Sequence, residues 1–194
     1  MKKKSIALLM SMVMIVGMAI GGTTAYLSAK TGKVENTFTI GKVEILLDES
    51  KVDENGKIIS GPDAERVFKN EYKLVPGNVY DKDPVVTVKA GSEPCYLYVK
   101  VEDNTPNVDF ALNLDGWTAL EGVENVYYRE VNALEAEQSF HLIKENKITV
   151  SADLDAEGMK TAKDKIDFTA YAIQKANTGT AEQAWEIINT TEKP

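Results

Sequence analysis

The chain has 194 residues, with 30 Asp and Glu against 22 Lys and Arg, a formal net charge of −8, one histidine and one cysteine. An acidic surface without a basic patch repels nucleic acid and anionic lipid, a lone cysteine excludes an intramolecular disulfide, and a lone histidine excludes a zinc site of the HExxH kind. The length suits a single domain with a core of its own.

Met1 to Lys4 holds three lysines, and Ile6 to Ile20 then runs without a charge. These are the n-region and h-region of a secretory signal. As a helix, the apolar run reaches about 22 Å, short of the roughly 30 Å hydrocarbon core. Gly21 and Gly22 break it, and Thr23-Thr24-Ala25 supplies the small residues a signal peptidase reads, so cleavage is expected between Ala25 and Tyr26. The alternative is an uncleaved anchor, because Ser5 to Ala25 just spans if the glycines stay helical. Removing residues 1–25 takes three lysines and no acid, leaving 19 Lys and Arg against 30 Asp and Glu. The expected organisation is a signal peptide at 1–25, a mature N-terminal segment at 26–41 and a β-sandwich domain at 42–194.

From Val34 the side chains alternate, with Val34, Asn36, Phe38 and Ile40 on one parity, and the pattern reads as a half-buried strand at the new N-terminus. Gly41 interrupts it before Val43, Ile45 and Leu47 resume, which marks a bend dividing two strands. Asp53-Glu54-Asn55-Gly56 is a turn signal, since Asn-Gly tolerates the positive φ of a tight hairpin. Gly61 to Lys73 is polar and reads as a loop leading into an edge strand. Leu74-Val75-Pro76-Gly77-Asn78 is a second turn, with proline fixing φ and glycine supplying the reversed φ.

Strands follow at Pro84 to Lys89 and Cys95 to Glu102. In the second, Leu97, Val99 and Val101 are the core candidates, and Tyr96, Tyr98, Lys100 and Glu102 face the other way. Asn104 to Asp115 is irregular, and Gly116-Trp117 opens another turn and strand. Strands are expected at Val126 to Val131, Phe140 to Ile143, Lys147 to Ala152 and Lys165 to Gln174, the last with Ile166, Phe168, Ala170 and Ala172 on one parity. Many short alternating strands with no βαβ rhythm favour an all-β antiparallel sandwich. Thr180 to Gln183 has the capping-box pattern, and Ala184, Trp185, Ile187 and Ile188 follow at helical spacing, so a short C-terminal helix docks Trp185 on the sandwich.

The residues that could carry chemistry are few. Cys95 heads an apolar strand and reads as a small buried hydrophobe; with His141 it forms only an arithmetical dyad, without a nucleophile motif. Asp153, Asp155, Glu157 and Asp164 imitate an EF-hand loop with Gly158 at the sixth place. Lys160 stands where such loops pack an apolar side chain, the twelfth residue is Asp rather than Glu, and no helix precedes it, so a solvated acidic loop is the alternative to a calcium site. No triad, cofactor box or aromatic-basic groove is visible, and no cofactor is expected.

The run Gly21-Gly22-Thr23-Thr24-Ala25-Tyr26-Leu27-Ser28, followed by Asn36-Thr37-Phe38-Thr39-Ile40-Gly41-Lys42-Val43-Glu44-Ile45, resembles the TasA and camelysin family of exported Gram-positive proteins. Leu74 to Asn78, Lys82-Asp83-Pro84 to Glu102, Phe168 to Gln174 and the helix around Ala184-Trp185 are similar as well, whereas Val52 to Lys73 departs from the pattern. The resemblance implies a jelly-roll-like β-sandwich, processing by a SipW-type signal peptidase, and assembly into fibres of the extracellular biofilm matrix or cell surface. It also implies that the mature N-terminal segment completes the sheet of the next subunit. The alternation from Tyr26 to Ile40 suits strand addition, with Val34, Phe38 and Ile40 as anchors and Gly41 as hinge. Such head-to-tail contacts make open filaments.

The expected protein is therefore a secreted structural subunit with no enzymatic activity, free of the membrane after cleavage, whose partners are further copies of itself and the signal peptidase, with a minor fibre or anchoring subunit as a further candidate. Two alternatives stand beside it. One is a non-polymerising adhesin or minor component that caps or anchors the filament, docking through an edge strand or the Tyr96 and Tyr98 face. The other is a camelysin-like surface metalloprotease, against which the single histidine argues.

Overall fold

The computed structural model describes residues 28–30, 42–133, 135–154 and 164–191. In chain order the strands are β1 (Ser28–Lys30), β2 (Ile45–Ser50), β3 (Arg66–Val67), β4 (Val79–Asp81), β5 (Val85–Val88) and β6 (Cys95–Asn104). They continue as β7 (Val108–Asp109), β8 (Thr118–Ala119), β9 (Val126–Val131), β10 (Gln138–His141), β11 (Lys147–Val150) and β12 (Lys165–Gln174), and helix α1 (Ala181–Thr191) closes the chain. All pairings are antiparallel. One sheet has the order β1-β12-β6-β9-β8, a second β10-β5-β2-β3, and a third β4-β11-β7. Among the described residues the fold is thus all-β with one α-helix. Among the described residues no helix is long and apolar enough to cross a membrane.

The first two sheets face each other across the main core. Leu97, Val99 and Val101 of β6 and Ala170 and Ala172 of β12 lie in one buried cluster with Val86 and Val88 of β5. These are the inward parities expected from period-two alternation, and the register Ala170↔Val99 keeps small residues beside branched ones along the inner face. Cys95 belongs to this cluster and is fully buried, so it fills space as a small hydrophobe.

β6 differs from expectation on its other face. Tyr96 and Tyr98 are also buried, at 7% and 0% exposure, because α1 lies across them. Only Lys100 and Glu102, beyond the helix, keep the polar character of an outer face. The helix starts as its sequence predicts: the Thr180 N–H donates to Gln183 Oε1 (3.0 Å) and the Gln183 N–H donates to Thr180 Oγ1 (3.4 Å), a reciprocal capping box. Trp185 then sits 5.1 Å from the Tyr98 ring and 5.2 Å from that of Tyr171.

Residues 52–73 are held to the sandwich through three buried carboxylates: Asp83 pairs with Arg66 at 3.4 Å, Asp81 accepts from the Ile58 N–H at 2.9 Å, and Glu49 accepts from the Asn70 N–H at 3.0 Å. Outside that segment Glu49 also pairs with Lys82 at 2.7 Å, Asp81 with Lys147, and Asp83 accepts from the Ser50 N–H and hydroxyl. Each of these three buried carboxylates is partnered, as burial of charge requires. The hairpin at Asp53 to Gly56 forms, but only Gly56 takes positive φ (67°), so Asn55 is not the residue that permits it. A Cβ at Gly56 would stand 2.0 Å from the Tyr80 ring, so close approach and conformation both demand glycine here.

Candidate assembly interface

β12 has two very different sides. Toward β6 it pairs over its full length, from Lys165↔Asn104 to Gln174↔Cys95. On its other side it meets β1 over three positions only, Ser28↔Ile173, Ala29↔Ala172 and Lys30↔Tyr171. Among the described residues no strand pairs with Lys165 to Ala170 on that side, which leaves backbone of the kind that accepts an added strand. The seat is firm: Ala170, Ala172 and Ile173 are fully buried, and Trp185 meets Tyr171 edge to face.

β1 falls within the Tyr26 to Ile40 stretch expected to be a strand, although the expected alternation began at Val34. The anchors Val34, Phe38 and Ile40, the hinge Gly41, and the cleavage residues Ala25 and Tyr26 all lie outside the described residues. What the structure adds is the place of β12 in the sheet: its ends are legible in the sequence, but not that, among the described residues, its outer side is unpaired from Lys165 to Ala170.

The far side of the sandwich is open too. β8 covers only Tyr127 and Tyr128 of β9, and β10 is the outer strand of its sheet. Between the sheets there, Val99, Leu112, Leu114, Trp117, Tyr127 and Phe168 line an apolar groove. Sequence reasoning missed β3, β4 and β7, which have two or three residues each, too few to express a period, whereas β8 follows Gly116-Trp117 as expected.

The remaining candidates are apart. Burial pushes the Cys95 thiol up to about 12, so it is neutral at physiological pH, and His141 is exposed on β10. Asp153 is exposed; Asp164 receives the Asn107 N–H (2.8 Å) and Nδ2 (2.9 Å); Asp155 and Glu157 lie outside the described residues. Among the described residues no group of three or more His, Cys, Asp or Glu is arranged to hold a metal. The Tyr96 and Tyr98 face considered for docking is occupied by α1, with the Tyr98 hydroxyl donating to the Ala181 carbonyl at 2.7 Å. No protein-family model, curated protein or solved structure matches the chain.

Proposed function

We propose that this chain is a secreted structural subunit of extracellular matrix or cell-surface fibres, of the TasA and camelysin kind, with a jelly-roll-like sandwich. Cleavage between Ala25 and Tyr26 by a SipW-type signal peptidase frees the N-terminal strand, which completes the sheet of the next copy. The observation that carries the reading is the pairing of β1 with the outer side of β12, where a segment remote in sequence supplies a border strand.

In a single chain that seat is filled by the chain's own β1. A tethered strand competes at an effective concentration in the millimolar range, so exchange between copies is slow and concentration-dependent. Among the described residues three positions of β1 pair with β12, and a donor from another copy that also covers Lys165 to Ala170 adds main-chain hydrogen bonds to these. Because the contact is heterologous, repetition produces an open filament.

The reading is tested by negative-stain microscopy of residues 26–194 beside residues 41–194. Filaments formed by the longer chain alone support an N-terminal donor. Filaments formed equally by both remove it, and filaments from neither favour an accessory or adhesin role.

A further inference from the structure

The open seam between β9 and β10 contains a cation that has no anion beside it among the described residues. Side chains alternate along β9, and Arg129, opposite Leu97 in register, points between the sheets with Tyr127 and Val131. Its guanidinium carbon lies 3.8 Å from the Phe140 ring centre and 5.2 Å from that of Trp117, and the two rings meet nearly at right angles. Nε is buried without a hydrogen-bond partner. Among the described residues Arg129 is the one half-buried cation without a carboxylate within ion-pair distance. Lys82, Lys89, Lys100 and Lys175 are half-buried and all paired. Asp115 acts on it through space without pairing, while burial pushes the guanidinium below its ordinary value.

The position of the group is built into the fold. Gly116 (φ +72°) precedes Trp117, and a Cβ there would come within 3.0 Å of a terminal guanidinium nitrogen. Contact with the two rings offsets part of the cost of the half-buried charge but satisfies none of the guanidinium N–H groups. A charged donor left unpaired in a half-buried site is costly, and a fork held in place by two rings is pre-organised for an acceptor in its own plane. A carboxylate has that planar two-oxygen geometry. A multiply charged anion is disfavoured by the net charge of −8 and by Asp115.

We propose that Arg129, clamped between Trp117 and Phe140, is a carboxylate-binding site. The carboxylate has two sources, a small free anion or an Asp or Glu side chain on an extended segment. The uncovered side of β9 from Arg129 to Val131 and the outer strand β10 offer main-chain partners to the second.

The test uses Trp117 as reporter. Purified protein is titrated with sodium acetate and with blocked hexaglutamate against sodium chloride at matched ionic strength, following tryptophan emission, with W117F identifying the Trp117 contribution. The expected result is a saturable change with half-point in the millimolar range for acetate, lost in R129Q and weakened at least tenfold in R129K, which keeps the charge but not the fork. Since the residue lies at the rim of the core and has no partner to orphan, either variant carries the test if the other folds poorly. Hexaglutamate acting at a concentration tenfold lower or less assigns the site to an acidic segment, and equal potency per carboxylate assigns it to the free anion. No saturation beyond the chloride response, or an unchanged response in R129Q, overturns the proposal.

Discussion

Trp185 joins the helix to β6 and β12, and its removal tests whether α1 is integral to the sandwich. The side chain is 7% exposed and packs on Tyr98 and Tyr171. Burial of about 200 Å² at about 25 cal/mol per Å² gives about 5 kcal/mol, less roughly 1 kcal/mol for the methyl that alanine keeps. Two ring contacts add about 1 kcal/mol, while partial collapse or undocking of the terminal helix takes some back. Trp185→Ala is therefore expected to cost about 3–5 kcal/mol, a fall in Tm of roughly 10 °C for a domain of this size. Trp185→Phe should cost about 1–2 kcal/mol because the ring contacts persist. The assay is urea denaturation followed by far-UV circular dichroism, with the midpoint falling. A loss below about 1 kcal/mol for the alanine variant would refute the reasoning, because it would mean that the helix adds nothing to the stability of the sheet it covers.

Gly56→Ala forces a Cβ into the Tyr80 ring at a backbone φ of +67°, and should cost about 2–4 kcal/mol by thermal melting. Tyr98→Phe removes the buried bond to the Ala181 carbonyl at 2.7 Å and should cost about 1–2 kcal/mol by the same measurement. Burial alone would raise the Asp81 carboxyl, but Lys147, the Ile58 N–H and Lys57 together hold it below its ordinary value. Its contribution to stability is thus complete above the unfolded value of about 3.9 and is lost as pH falls through the lower folded value. Asp81→Asn should lower stability at neutral pH and flatten part of the acid limb of a stability curve; an acid limb identical to that of the parent would contradict the pairing.

The strands with six or more residues were legible because each shows side-chain alternation or an apolar run bounded by turn residues. β9 and β12 fall on their expected bounds, and β6 extends two residues beyond its expected end. Pro76-Gly77 turns as its chemistry requires, with Gly77 at φ 75° and the Asn78 N–H donating to the Val75 carbonyl. Two things were hidden. The burial of Tyr96 and Tyr98 depends on a helix more than eighty residues away, and a tyrosine reads equally well as surface or as cover for a second layer. Arg129 sits in an alternating strand on the inward parity, a conflict that is visible in Tyr127-Tyr128-Arg129-Glu130-Val131; the aromatic clamp that resolves it comes from Trp117 and Phe140, whose proximity only the fold supplies. The place of β12 next to β1 was likewise unreadable, because sheet order is not a property of any one strand.

The most direct test of donor-strand assembly is a cross-link across the register pair Ala29↔Ala172. Directly opposite residues of an antiparallel pair have Cα atoms about 4.5–5.5 Å apart, within the range a disulfide spans, and Cys95 is too buried to compete. Ala29→Cys and Ala172→Cys are made in separate chains, mixed, allowed to assemble and oxidised, then run on a non-reducing gel. The account predicts covalent dimers containing one chain of each kind, appearing as filaments form and absent from dilute monomer. If the mixture yields no such dimers while the doubly substituted chain closes on itself in the assembled state, β1 stays on its own subunit and the donor role is contradicted.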